Sequence, residues 1–381
     1  IQFFQPKNTW KSMKYYIISG EASGDLHGSN LMRALIEKDP DAEIRFWGGD
    51  LMQEVGGVMV KHFKSLAFMG FWEVLIHLRT ILKNITFCKK DILHFDPDAI
   101  IYIDYPGFNL RIAKWAKGKG FRNHYYISPQ VWAWKESRVH QMKKVLDALY
   151  VILPFEKEFF EVKHQFNVHF VGHPLLEFLN NREKALGFKK ENQLSDRKAI
   201  IALLPGSRKQ EIKKMLPIFL RVIPHFPDYQ FVLAAAPGIA LQWYQSFIKN
   251  NDLKIIANQT HDLLAHAKGA LVSSGTATLE TALLNVPQVV CYRTSFLSFE
   301  IGKRLVKVKF ISLVNLIMDR EVVTELVQND FNEKNIVHNL KYILSSAGQK
   351  KLKNDYKALG SILGAVKASK KTAQLIIDKI R

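Results

Sequence analysis

Between residues 269 and 280 the chain reads Gly269-Ala270-Leu271-Val272-Ser273-Ser274-Gly275-Thr276-Ala277-Thr278-Leu279-Glu280. An apolar segment of strand character ends in Ser-Ser-Gly and passes at once into helix-forming residues. Such a strand–turn–helix junction aims backbone N–H groups and the positive end of a helix dipole above the sheet, where phosphate is the usual guest. Glu280 falls on the first turn or so of that helix, where a carboxylate can accept two hydrogen bonds from ribose hydroxyls. Upstream, Ala202-Leu203-Leu204-Pro205-Gly206-Ser207-Arg208 repeats the theme with a buried strand, a Pro-Gly turn and an arginine. Arg208 can clamp phosphate oxygens through its fork of donors, a surface ion pair being the plainer reading. Two anion-facing turns in one half of the chain point to a site for a nucleoside diphosphate.

Working outward, short β-branched or aromatic runs alternate with helical stretches, the pattern of parallel sheets. Strands are expected at residues 15–18, 44–47, 99–103, 124–127, 148–152 and 169–171, with a glycine-bearing turn over 20–25 and a helix over 27–37. A polar, lysine-rich stretch over 180–197 reads as a linker. The alternation then restarts with strands at 199–204, 230–234, 254–256, 270–272 and 288–292. The economical architecture is α/β with two Rossmann-like parallel-sheet domains facing each other across a cleft. The expected divisions are a leader over 1–12 that is non-native or disordered, domains over 13–180 and 181–345, and helices over 346–381 that pack back on the first domain. Met13 reads as the natural start.

With 381 residues, 48% hydrophobic and 23% charged, the composition is that of a globular protein with room for two domains. The net charge of +19 favours an anionic partner. No nucleic-acid signature accompanies it, so a membrane surface or a phosphorylated substrate fits better than nucleic acid. The two cysteines, Cys88 and Cys291, are far apart and lack metal-site spacing, as suits a reducing cytoplasm. No run of about eighteen uncharged apolar residues is present, so no spanning helix is expected.

Asp104 follows five apolar residues in Ala99-Ile100-Ile101-Tyr102-Ile103-Asp104-Tyr105-Pro106-Gly107-Phe108-Asn109. In open parallel sheets the carboxyl ends of strands face the ligand crevice. Partial desolvation there should raise the pKa of Asp104 toward that of a general base. The competing reading is a helix N-cap or turn aspartate, which Pro-Gly would suit. Asp96-Pro97-Asp98 has the spacing of metal-dependent sugar transferases, yet it precedes its strand and reads as a turn. His164, His169 and His173 fit no common zinc motif. Gly20-Glu21-Ala22-Ser23-Gly24-Asp25 is not the dinucleotide fingerprint, so no nicotinamide cofactor is expected. Its two glycines, serine and two acids exceed what a connection needs, which makes Glu21, Ser23 and Asp25 substrate-facing candidates.

Residues 66–87 are apolar beyond what one core stripe needs. Phe68, Trp72, Leu75, Leu78, Leu82 and Ile85 follow helical spacing, while Phe71 and others widen the face and Arg79, Lys83, Lys89 and Lys90 flank it. Core packing and an interfacial helix on anionic lipid stand as equal readings, the second making Phe68, Phe71, Trp72, Leu75 and Leu82 membrane-facing. Lys303-Arg304-Leu305-Val306-Lys307-Val308-Lys309 adds a second basic patch.

Six motifs fall in order along the chain: Gly20-Glu21-Ala22-Ser23-Gly24-Asp25, Ser128-Pro129-Gln130-Val131-Trp132-Ala133-Trp134, Leu153-Pro154-Phe155-Glu156, Leu203-Leu204-Pro205-Gly206-Ser207-Arg208, Ser274-Gly275-Thr276-Ala277-Thr278-Leu279-Glu280 and Lys303-Arg304-Leu305-Val306-Lys307. With them the chain resembles the lipid A disaccharide synthases, GT-B glycosyltransferases of outer-membrane biogenesis, over nearly its whole length from Met13.

The resemblance implies an inverting, metal-independent transfer without a cofactor. UDP-2,3-diacylglucosamine is joined to 2,3-diacylglucosamine 1-phosphate, releasing UDP and a β-1,6-linked disaccharide phosphate. It implies a cytoplasmic enzyme held peripherally on the inner face of the bacterial inner membrane, and a second copy of the chain is a candidate partner. By the same resemblance Asp104 is the base, and Arg208, Glu280 and Asn315 belong to the UDP pocket; the helix start at Gly275 and Thr276, read from the junction itself, would hold the diphosphate. Gln130 stands where serine is common, and Tyr105 and Gly107 vary the surroundings of Asp104. The alternative is a UDP-N-acetylglucosamine 2-epimerase-like isomerase on the same fold, which would need no acceptor and no apolar face over 66–87. A non-catalytic lipid or nucleotide binder is a third reading, which leaves a buried strand-end Asp104 without purpose.

Overall fold

The structure is a computed structural model that describes residues 12–65, 78–180, 185–248, 253–294, 309–364 and 367–381. Outside these fall residues 1–11 of the expected leader, Phe68, Phe71, Trp72 and Leu75 of the expected membrane face, and 303–308 of the basic patch. The chain divides into two compact units, one reaching Pro174 and rejoined by the closing helix, the other running from Leu175 to Gly364.

Among the described residues the first unit carries seven parallel strands: β1 (Lys14–Ser19), β2 (Glu43–Gly48), β3 (Val58–His62), β4 (Ala99–Ile103), β5 (Asn123–Tyr126), β6 (Ala148–Val151) and β7 (His169–Phe170), in the order β3-β2-β1-β4-β5-β6-β7. The central strands are apolar at nearly every position because helices cover both faces of the sheet. Side chains alternate between those faces. Tyr16, Ile18, Ile100 and Tyr102 pack with Ile85, Cys88, Phe108 and Ile112 from the helices Leu78–Phe95 and Pro106–Lys117. Tyr15, Ile17, Ile101 and Ile103 pack with Leu31 and Leu35 of the helix Ala22–Lys38 and Ile376 and Ile377 of the helix Ala368–Ile380.

That closing helix is also pinned by polar contacts. Lys370 meets Glu37 at 2.7 Å, Lys38 meets Gln374 at 2.6 Å, and Arg122 donates to the carbonyls of Lys379 and Ile380 at the helix end. The preceding helix Ser346–Ile362 belongs to the second unit, with Leu352, Tyr356 and Leu359 buried there.

Two local readings change. The helix after β1 begins at Ala22, not at residue 27, so Ser23, Gly24 and Asp25 lie on its first turn. A side chain at position 24 would overlap Ser19 Oγ, so glycine lets the helix start this close to the strand. In the helix Leu78–Phe95, the residues Ile85, Cys88 and Ile92 face the core while Leu82 and Phe87 stand 51% and 48% exposed. Within this helix the apolar residues are therefore divided between two faces.

The second unit repeats the layered plan. Its described strands are β8 (Ala199–Leu204), β9 (Tyr229–Ala235), β10 (Lys254–Ala257), β11 (Ala267–Ser273), β12 (Gln288–Tyr292) and β13 (Glu325–Val327), all parallel, in the order β10-β9-β8-β11-β12-β13. Ile200, Ala202, Val232, Ala270 and Val272 build one side of its core with Leu263 and Leu264. In each sheet successive strands move outward from one centre, then return to grow the other way: β1 and β4 flank the reversal in the first, β8 and β11 in the second. Ligand crevices of open α/β sheets form at such reversals, beyond the carboxyl ends of the strands.

Candidate active site

Asp104 and Tyr105 leave the carboxyl end of β4 at the first reversal. Both are left-handed, with φ of 44° and 50°. Non-glycine residues rarely adopt that region, and each costs about 1–3 kcal/mol there. The surroundings over-determine the turn. Asp104 N–H donates to the Tyr126 carbonyl at 3.2 Å, and Asp104 carbonyl oxygen accepts from Asn109 Nδ2 at 2.7 Å and from the Tyr125 hydroxyl. Asn109 is fully buried and also reaches the Ile103 carbonyl at 3.3 Å and the Ile18 carbonyl at 3.4 Å. Tyr105 lies against Gly20, where any Cβ would overlap its ring. Pro106 at the first helical position then suits the start of the helix Pro106–Lys117.

The Asp104 carboxyl is pushed up to about 6, chiefly by burial and then by the charge of Glu21, against a hydrogen bond from the Tyr105 N–H. A base with a pKa near 6 is ionised at neutral pH yet proton-hungry enough to help deprotonate a hydroxyl. Glu21 is half-buried beside it, and Ser23 is exposed two residues on. Asp25 has a different task. Its Oδ1 accepts from Gly49 N at 2.7 Å and Met52 N at 3.1 Å, and its Oδ2 from Leu51 N at 3.1 Å, capping the helix Asp50–Val55. Asp98 is a turn residue at the amino end of β4, where its carboxylate accepts from Lys14 N at 2.8 Å.

At the second reversal, Gly206 has φ of 121° and Gly275 has φ of 156°, conformations that only glycine adopts readily. Open space surrounds the position a Gly275 side chain would take, and Gly275 and Thr276 are exposed. The helix Thr276–Leu283 starts there, and its first N–H groups have no partner within the helix. Thr278 Oγ1 donates to the Gly275 carbonyl at 2.8 Å and holds the turn. Arg208 is exposed at the start of the helix Lys209–Val222, with Glu211 at 3.6 Å. The helix start can receive an anion on backbone N–H groups, and Arg208 follows the neighbouring strand β8.

Glu280 Oε2 lies 2.9 Å from His261 Nε2. Asn315 is fully buried and its amide is occupied. Nδ2 donates to the Val323 carbonyl and Glu325 Oε1, both at 2.8 Å, while Oδ1 accepts from Val322 N at 2.8 Å and Val323 N at 2.9 Å. Glu325 also accepts from Ile311 N and Ser312 N, each at 2.9 Å. Ser274 Oγ donates to the Ile311 carbonyl at 2.7 Å, which ties this bracing to the turn after β11. Asp104 and Glu21 thus meet in the first unit, with Ser23 two residues beyond Glu21, while Arg208 follows β8 and Gly275, Thr276 and Glu280 follow β11 in the second. Asn109, Tyr125 and Glu325 join them, and no sequence pattern marked these three.

Two parallel-sheet units of this kind define the GT-B class, which holds glycosyltransferases and nucleotide-sugar epimerases. A putative UDP-N-acetylglucosamine 2-epimerase from Listeria monocytogenes is similar at TM-score 0.66 and 12% identity, covering 97% of this chain and 96% of that one. The glycosyltransferase of kitacinnamycin is similar at TM-score 0.65 and 12% identity, covering 97% and 100%. At such identities the likeness is one of fold.

The model of the lipid-A-disaccharide synthetase family matches residues 15–378, and the chain belongs to that family. Lipid-A-disaccharide synthases of Coxiella burnetii and Syntrophus aciditrophicus are each 36% identical to it, the first covering 87% of this chain and 88% of the relative, the second 96% and 97%. The synthase of Geobacter sulfurreducens is 33% identical, covering 97% and 98%. The protein is a glycosyltransferase of lipid A biosynthesis.

The raised pKa of Asp104 makes a stability prediction. Its folded value of about 6 exceeds the ordinary value of 3.8, so the ionised form penalises the folded state. That cost is absent below about pH 4, grows between 4 and 6, and is complete above 6, reaching at most ~3 kcal/mol. Asp104→Asn should therefore raise the thermal midpoint at pH 8 and leave it nearly unchanged at pH 4. Equal midpoints at pH 8 would mean the carboxyl is not strained by its burial.

Proposed function

We propose that the first unit holds the acceptor, 2,3-diacylglucosamine 1-phosphate, and the second holds the donor, UDP-2,3-diacylglucosamine. Asp104 takes the proton of the acceptor 6-hydroxyl as that oxygen attacks C1 of the donor sugar. One displacement inverts the anomeric centre, so the product is the β-1,6-linked disaccharide 1-phosphate and the other product is UDP. The leaving diphosphate gains negative charge, which Arg208 and the N–H groups around Gly275 and Thr276 stabilise without a metal ion. Glu280 accepts from the ribose hydroxyls. Glu21 and Ser23 contact the acceptor, while Asp25 and Asn315 act behind the substrates by fixing backbone.

The observation that carries this reading is the Asp104 carboxyl itself, raised to about 6 on a strained and fully braced turn. Strain of this kind persists at functional sites. Disaccharide formation should require both lipid substrates and survive EDTA. Its rate should fall about tenfold per pH unit below an apparent pKa near 6, because protonated Asp104 cannot accept a proton. Activity lost to the chelator, an acid limb near 4, or conversion of UDP-N-acetylglucosamine without acceptor would refute it, the last in favour of the epimerase-like reaction.

The enzyme works at the cytoplasmic face of the inner membrane as a peripheral protein. The +19 charge and the exposed Leu82 and Phe87, with Lys83 and Lys90 alongside, support this. Among the described residues no helix is long and apolar enough to cross a membrane. Leu82→Glu with Phe87→Glu should lower flotation with anionic vesicles and leave neutral vesicles unbound. Unchanged flotation of the double variant would move the contact elsewhere.

A further inference from the structure

The motifs Leu153-Pro154-Phe155-Glu156 and Ser128-Pro129-Gln130-Val131-Trp132-Ala133-Trp134 have no task in the reaction as described. One buried side chain joins them. Glu156 is 1% exposed. Its Oε2 accepts from Leu153 N at 3.0 Å and Ile152 N at 3.2 Å, and its Oε1 accepts from the Trp132 indole Nε1–H at 3.2 Å. Trp132 is half-buried, and its ring meets Phe155 at right angles, 4.9 Å between centroids.

The backbone bonds are those of an acid three residues past a helix N-cap, here Leu153 before the helix Pro154–Glu158. A cap needs no more than that, and it works on the surface. Complete burial of a carboxyl is costly unless each oxygen is partnered, and the second oxygen is partnered by Trp132 alone among the described residues. Burial pushes Glu156 up to about 7; the bonds from Leu153, Trp132 and Ile152 pull it down, and the charge of Asp104 raises it further. Glu156 is therefore close enough to Asp104 to feel it. Asp104, the loop after β5 and Leu153 leave the carboxyl ends of three adjacent strands, β4, β5 and β6.

We infer that Glu156 is a positioning residue that, through the Trp132 indole, sets the loop after β5 as the wall of the acceptor-sugar subsite beside Asp104. Trp132 presents aromatic surface to the apolar C–H face of the sugar, and its orientation depends on the Glu156 bond. The inference rests on the proposed function, in which the first unit takes the acceptor.

The two roles of Glu156 separate chemically. Glu156→Gln keeps an oxygen for the backbone N–H pair but turns an amide NH2 toward the indole N–H, so two donors face each other. Trp132→Phe removes that donor and keeps an aromatic ring. Steady-state kinetics with each substrate varied in turn should show Glu156→Gln raising the acceptor KM about tenfold, with the donor KM and UDP affinity unchanged. In the Trp132→Phe background the same exchange should move the acceptor KM less than about twofold. Trp132→Phe alone should also raise the acceptor KM, which keeps the inference testable if Glu156→Gln does not fold. A lowered thermal midpoint with unchanged acceptor KM, an equal effect of Glu156→Gln in both backgrounds, or Trp132→Phe with wild-type kinetics would each overturn it. Wild-type protein that forms no disaccharide would refute the proposed function, a result distinct from any of these.

Discussion

A parallel sheet covered on both faces has its backbone polar groups paired inside and its apolar side chains buried above and below, so it can meet a ligand only at its ends. Both sheets here reverse their direction of growth once, between β1 and β4 and between β8 and β11. At the reversal the connections on either side diverge and leave a crevice at the carboxyl ends. The residues proposed as base and as ligands of the diphosphate leave the strands that flank a reversal. In the first unit this is Asp104 after β4, with Glu21 after β1; in the second, they are Arg208 after β8 and Gly275 after β11. The burial of β1, β4, β8 and β11 is what holds those four loops in place.

The two sites solve different problems. In the proposed reaction the second unit binds charge with backbone: a glycine turn, the start of a helix and one exposed arginine. The first unit, in the same proposal, keeps a carboxylate basic by desolvation on a strained turn. Two successive left-handed residues, each about 1–3 kcal/mol uphill, are held by Asn109, Tyr125 and the ring of Tyr105 on Gly20. Those contacts explain why so many buried polar side chains crowd the end of β4. They offset a conformation that the proposed reaction uses to present Asp104 as base, the usual relation between stability and function at such sites.

The fold was largely legible in the sequence, because fully apolar strands such as Ala99-Ile100-Ile101-Tyr102-Ile103 and glycine turns such as Ser274-Gly275-Thr276 carry their own physical signature. Asp104 was legible for the same reason, as a carboxylate at the end of a buried strand. Its left-handed backbone was not, since a strained turn at Asp-Tyr leaves no mark in composition and its braces come from Asn109 and Tyr125. Asp25 and Asn315 show the opposite limit. Polar residues near a binding loop read alike whether they face a ligand or the backbone, and here both are hydrogen-bonded to backbone N–H groups. Proximity in sequence also misplaced the start of the helix Ala22–Lys38, because only packing against Ser19 shows why Gly24 belongs inside it.

In the proposed reaction the two units divide the labour, the first acting on the acceptor and the second holding UDP. Calorimetric titration of UDP into the wild type, Asp104→Ala and Arg208→Ala, with turnover measured on the same preparations, tests it most directly. Asp104→Ala should bind UDP as the wild type does while turnover is abolished, and Arg208→Ala should lose about tenfold or more in UDP affinity. Asp104→Ala that keeps most of its activity, or that loses UDP binding as Arg208→Ala does, would contradict it.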